Sequence, residues 1–316
     1  MRTIVPFEVI YSCQLPYVQT GKETVLRISK LTRRQSEILL AAVISARATS
    51  MLFSKIVLAG MDVFNLMALR SLIAFALLIP LFHKQIFSAT RKEIRAGCIM
   101  GSLFFLTMAT ELASLRYAPT SAVAFLQNTA IVIVPFLQAV LLRRLPEKRA
   151  IAASLICLAG VALLTLAGSS GPAIGIVLAM ASAFAYAFTI IATDRLSHSG
   201  IDSLTAGILQ VAAVGVLSLA ASFLFESPHL PQNAASWASI LTLAIVCSGF
   251  GFTLQPVAQS GTSAETAGLL CALNPLVASV LGVVFLHEVL SAKAILGGLL
   301  VLAGILLYSV KTKPAE

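Results

Sequence analysis

Long apolar runs alternate with short polar breaks over most of the chain, and ten of them fall near residues 37–59, 63–82, 96–113, 119–142, 150–167, 172–192, 203–225, 236–255, 263–286 and 293–310. A bilayer core of about 30 Å needs about 20 mostly apolar helical residues, so these runs are too long for barrel strands and predict ten transmembrane helices, an all-α polytopic membrane protein. The pattern also copies itself. Thr120-Ser121-Ala122 recurs as Thr262-Ser263-Ala264 and Leu158-Ala159-Gly160 as Leu302-Ala303-Gly304, at offsets of 142 and 144 residues. Lys55 and Asp62 stand 140 residues before Arg195 and Asp202, each pair bracketing the break between the first two spans of its half. An odd number of spans per half turns the second half upside down relative to the first. Two inverted five-helix repeats, at 36–168 and 169–311, are the expectation, with a ligand site near the midplane between them.

Composition narrows the class. At 58% hydrophobic and 11% charged residues, with mean hydropathy +0.95, the chain lies far from soluble domains, whose charged share is about 25%. The net charge of +9 would suit nucleic acid, but its placement follows the membrane rule instead, and nucleic acid is not an expected partner. With the N-terminus inside, the cytoplasmic side holds six Lys and Arg in the arm 1–35, four between His83 and Arg95, four from Arg143 to Arg149, and Arg195, Lys311 and Lys313. The other side holds Arg116 and Lys293, and Arg47, Lys55 and Arg70 lie within spans. Both termini are therefore expected in the cytoplasm of a multi-pass protein of the plasma or inner membrane. The arm lacks the apolar core of a signal peptide, and its Gly21-Lys22 has Pro16 where a phosphate loop needs glycine. Cys98, Cys157, Cys247 and Cys271 lie in apolar runs without paired spacing and read as core residues. His83, His198, His229 and His287 sit in loops or at span ends with no ligand spacing, so neither a metal nor a cofactor is expected.

Polar residues within the spans fall on single helical faces. Arg47, Ser50 and Ser54 share one on span 1; Ser182, Tyr186, Thr189 and Thr193 one on span 6; Thr107, Thr110, Glu111 and Ser114 one running from span 3. Ser248 and Gln255 align on span 8, Gln127 and Gln138 on span 4, and Thr266 and Asn274 on span 9, while spans 5 and 10 are nearly featureless. Spans 1, 3, 4, 6, 8 and 9 are thus expected to line a polar cavity, with Arg47, Ser50, Glu111, Gln127, Tyr186, Gln255 and Asn274 as candidate substrate contacts. Against this stands the ordinary habit of Ser and Thr to bond their own helix backbone. An arginine near the bilayer centre costs about 3 kcal/mol, so Arg47 needs a reason: an anionic or carboxylate-bearing substrate, or a structural pair with Glu111 or a buried helix-end carbonyl. Glu111 and Glu265 are the acids placed to exchange a coupling proton, although a solvated helix end explains either as well. Arg70 reads as a packing or gating residue, and Lys55, near a span end, as one that snorkels to the interface. Gly97 and Gly101 form a G-x-x-x-G that more often means close packing within a chain than a dimer face.

Three segments carry a family resemblance: ELASLRYAPTSAVAFLQ at Glu111 to Gln127, LNPLVASVLGVVFLHEVLSAKAILGGLLVLAGILL at Leu273 to Leu307, and LMALRSLIAFALL around Arg70. Together they resemble the EamA-type branch of the drug/metabolite transporter superfamily, over roughly residues 37 to 310, with the Pro275, Glu288 and Gly304 spacing the most specific part. The first half departs from the pattern, having Ile131 and Arg144 where Pro275 and Glu288 have their mates. The resemblance implies a ten-helix secondary transporter, commonly an exporter of amino acids, metabolites or drugs. Its expected partners are a small-molecule substrate and the bilayer, and a homodimer is compatible with it. The rival class, an integral-membrane enzyme or scaffold, lacks an acid/base or metal constellation in these short loops, and an ATP-driven pump lacks a phosphate loop.

Overall fold

The computed structural model describes residues 33–142, 148–166, 172–197, 201–251 and 273–309. Helices α1 (Arg33–Leu58), α2 (Val63–Phe87), α3 (Arg91–Leu115), α4 (Thr120–Asn128), α5 (Ala130–Leu142), α6 (Lys148–Leu166), α7 (Ala173–Ser197), α8 (Ser203–Phe225) and α9 (Ala234–Thr242) follow one another. A π-helical segment, Leu243–Phe250, continues α9, and α10 (Leu273–Leu286) and α11 (Ala292–Ser309) end the described chain. Among the described residues six helices are long and apolar enough to cross a membrane, and four shorter apolar helices accompany them.

The surface is that of a protein solvated by lipid. Phe87, Val140, Leu158, Val216, Phe223, Leu224, Phe285 and Leu299 are exposed, while Ser54, Ser114, Thr120 and Ser182 have no exposed surface at all. Lipid tails are as apolar as Leu, so burying such side chains drives nothing, and small or hydrogen-bonding residues fill the helix contacts instead. Gly97 and Gly101 let α3 close on α8: a Cβ on Gly101 would stand 2.5 Å from that of Ala213. The G-x-x-x-G is an internal packing device. Helices α6 and α11 meet in the same way, with Gly304 against Cys157 and Ala153 and Gly160 against Gly297 and Val301.

Several boundaries differ from the periodicity. Residues 83–95, expected as a loop, are mostly helix, because α2 continues to Phe87 and α3 begins at Arg91. Helix α2 contains Pro80 and a kink at Phe82 yet runs on, and a capping box between Thr90 and Glu93 starts α3, so the polar ends stay helical beyond the apolar stretch. The span expected at 119–142 is broken at Thr129, whose hydroxyl donates to the Leu126 carbonyl. The eighth run is not a plain α-helix either: it widens into the π segment after Thr242.

Candidate functional site

Three elements converge on Arg70. It lies on the buried face of α2 at 2% exposure, among Leu66, Met67, Ser71 and Ala74. Its guanidinium donates through Nη1 to the Ser50 hydroxyl of α1 at 3.1 Å, and through Nε and Nη2 to the Ser248 hydroxyl at 3.3 and 3.1 Å. Ser248 belongs to the π segment. The wider turn of a π-helix shifts side chains relative to an α-helix, and such segments gather at functional sites. The next turn holds Gly251, over which the stem of Arg47 passes: a Cβ there would meet Arg47 Cγ at 3.0 Å. Arg47, Ser50, Arg70 and Ser248 therefore form one neighbourhood.

A second group lies across from it. Glu111 accepts from Gln127 Nε2 at 2.6 Å, and the same amide donates to the Ser182 hydroxyl at 3.3 Å, linking α3, α4 and α7. Arg70 and Arg47 both lie close enough for their charges to act on Glu111. Gln127 is held two residues before the break at Thr129, where the helix leaves its regular course. Tyr186, one turn beyond Ser182 on α7, is half-buried against the core.

Of the candidates read from the sequence, the structure brings together Arg47, Ser50, Glu111 and Gln127. Asn274 is half-buried at the start of α10, and no bond joins it to this group among the described residues. Gln255 and Glu265 lie outside the described residues, as does Thr266, and the side chain of Gln138 does too. The backbone-bonding habit of hydroxyls claims Thr110, which donates to Leu106, and Ser114, which donates to Glu111 O. Thr107 does both, bonding Leu103 O and reaching Thr189 of α7 at 3.2 Å.

Lys55 does not simply snorkel. Its ammonium donates to Glu288 Oε1 and to the Ala118 carbonyl, each at 3.0 Å. Glu288 in turn accepts from the Thr120 backbone N–H at 2.6 Å and from the Ser121 N–H and hydroxyl at 3.3 and 3.2 Å. Helix α4 begins after Pro119 without a side-chain cap of its own, so Glu288 satisfies its orphan donors from the far half of the chain and meets the positive end of its dipole. Burial pushes the Glu288 carboxyl up, but the Thr120 N–H and the Lys55 ammonium outweigh it and hold the group below the usual carboxylate range. His287, at φ 53°, turns the chain so that Glu288 N–H returns to Gly282 O at 3.1 Å. At the same end of the molecule Glu226 does for α2 what Glu288 does for α4, accepting from Phe64 and Asn65 N–H at 2.9 and 2.8 Å. Asp62 there pairs with Arg116 at 2.7 Å.

The sequence reading missed this rim. Its signal was faint but present: two helix starts, after Pro119 and Asp62, with no acid in the first turn, and two glutamates within two residues of the ends of apolar runs.

The EamA-like transporter family matches residues 36–166 and again 173–310. An uncharacterized transporter of Archaeoglobus fulgidus is 26% identical over 286 residues, 88% of this chain and 98% of that one. A second, the uncharacterized transporter YvbV of Bacillus subtilis, is 25% identical over 294 residues, 90% of this chain and 95% of its own. One crystal structure superposes with a TM-score of 0.62 at 18% identity, over 88% of this chain and 97% of that one, a likeness of fold. With both stretches matched, the chain belongs to the EamA-like transporter family.

Proposed function

We propose that this membrane transporter is a secondary active carrier that works by alternating access, moving a small metabolite, amino acid or drug outward across the cell membrane. In this reading its ten helices form two inverted repeats, 36–168 and 169–311, with both termini cytoplasmic. The observation that carries it is the crossing of hydrogen bonds between the two family-matched segments deep in the helices. Arg70 of the first segment, itself bonded to Ser50, meets Ser248 of the second, and Gln127 of the first meets Ser182 of the second. A buried polar junction between two halves is where a site exposed alternately to each side belongs. Arg47, Ser50, Glu111, Gln127 and Tyr186 are its proposed contacts, Gln255 and Asn274 join them from the second half, and Arg70 is taken up below. Glu111 is the proposed coupling acid on the described residues, since its carboxylate is held by one neutral amide and can exchange a proton without breaking an ion pair. Glu265 is the alternative.

The test compares intracellular and extracellular metabolites in cells with and without the protein. A reproducible set of compounds displaced outward supports the reading, and no displacement at verified expression overturns it. Orientation is checked separately with single cysteines on a cysteine-free background. One at Ser227 reacts with an impermeant thiol reagent in intact cells, one at Thr90 does not, and the reverse pattern inverts the topology.

A further inference from the structure

We infer that Arg70, with Ser50 and Ser248, is the seat of an anionic group of the transported compound, a carboxylate or phosphate, rather than a packing residue. The inference rests on the transporter reading above. A guanidinium carries five N–H donors and is never neutral in practice, so one buried to 2% exposure inside an apolar bundle normally faces a carboxylate. Arg70 does not. Three of its N–H bonds reach neutral hydroxyls, and among the described residues no acid lies within ion-pairing distance of it. One N–H on each terminal nitrogen remains, the pair that a carboxylate or phosphate takes side by side.

The surrounding charge points the same way. Among the described residues the charged groups deep in this neighbourhood are Arg47, Arg70 and Glu111. Of these, Arg70 has no acid within ion-pairing distance among the described residues, in a setting where an unanswered charge is costly. An arriving anion supplies the balance, and its departure restores the cost, so the seat favours binding without making release impossible. A further orphan lies on the Ser50 face of α1. The Ser54 hydroxyl, one turn beyond Ser50 on the same face of α1, is fully buried and has no hydrogen-bond partner among the described residues. A ligand oxygen next to the Arg70 fork is the group that would satisfy it.

Metabolite profiling of cells expressing the wild-type protein, Arg70→Gln or Arg70→Lys, each at matched membrane abundance, reads the proposal, with melting of the three purified proteins as a second measurement. The expected result is that the compounds displaced by the wild type all bear a carboxylate or phosphate. Arg70→Gln lowers their displacement by about tenfold or more, the loss of a charge-assisted bidentate contact, and Arg70→Lys recovers part of it. Arg70→Gln melts at or above the wild-type temperature, because the amide still serves Ser50 or Ser248 while the unbalanced charge is gone. Displaced compounds without an anionic group, undiminished displacement by Arg70→Gln, or a marked fall in its melting temperature each overturn the assignment while leaving the transporter reading intact. Displacement of nothing by the wild type itself overturns that reading instead. Whether carboxylates or phosphates are displaced identifies the source of the anion.

Discussion

The buried centre and the rim each hold a cation on the first half of the chain, and they treat it in opposite ways. At the rim Lys55 meets a carboxylate directly, and that carboxylate is also bonded to two backbone N–H groups and a hydroxyl. In the centre Arg70, far more deeply buried, is met by two serines. Coulomb attraction strengthens as the local dielectric falls, so a structure built for stability alone would place the acid beside the buried arginine and leave the half-exposed lysine to water. The inverse arrangement teaches that the two regions have different tasks. The rim joins α1, α4 and the turn after α10 through four bonds on one carboxylate. The centre keeps its charge incompletely answered, which destabilises the empty protein slightly and leaves binding capacity for a ligand.

Substitutions sharpen that contrast. The largest loss of stability is expected for Glu288→Ala, which strands the Lys55 ammonium and uncovers the first N–H groups of α4. About 2–4 kcal/mol should disappear from the unfolding free energy in detergent, against little change for a deletion on the lipid-facing surface. A melting temperature within error of wild type would show the rim to be incidental. Arg47→Leu should do the reverse: insertion and melting hold or improve, since a costly charge is replaced by an apolar residue, while transport drops by about tenfold, or ~1.4 kcal/mol. If instead Arg47→Leu melts as poorly as Glu288→Ala, the distinction between a binding centre and a structural rim collapses.

Smaller effects test the rim's internal logic. Lys55→Met removes one of the four bonds on Glu288 and leaves the helix cap intact, so it should cost only about 1 kcal/mol. A double-mutant cycle with Glu288→Gln should recover a coupling of similar size, and zero coupling would assign the rim's stability to the α4 cap alone. The Glu288 carboxyl titrates below its ordinary value, so its contribution is complete above the unfolded carboxylate range and is lost as pH falls through the lower, folded value. Acid melting curves of wild type and Glu288→Gln should converge there. The smallest effect belongs to His229, whose ring is raised by bonds to the Ser227 and Gly60 carbonyls, with Asp62 and Glu226 adding to it. Its stabilisation is present below the ordinary histidine value of about 6.5 and fades as pH rises through the raised one. The ring is partly exposed, so His229→Gln should move the melting temperature little, and only on the acidic side.

Much of this was legible in residue order. Every apolar run contains helix, because a segment of about 20 apolar residues has no other way to satisfy its backbone in lipid. The spacing of Arg47 with Ser50 and of Thr107 with Glu111 puts each pair on one helical face, and Ser50, Thr107 and Glu111 each bond a residue of another helix. The G-x-x-x-G was read as intrachain packing and packs α3 on α8. What stayed hidden were the couplings. Nothing near Lys55 in sequence announces Glu288, and nothing near Gln127 announces both Glu111 and Ser182 as its partners.

The sequence by itself determined the solvent, the class and the helices of this protein, since hydrophobicity, length and period are local quantities that each segment carries alone. It also determined which faces are polar, because a face follows from spacing along one helix. Only the tertiary structure decided which polar groups answer one another. The bonds that matter run between residues 55 and 288, 70 and 248, and 127 and 182. Such pairings depend on how helices cross and where they break, on the kink at Phe82, the interruption at Thr129 and the widened turn before Ser248. Those irregularities arise where packing against neighbours overrides the preference of a single helix, and that information is spread over the whole chain.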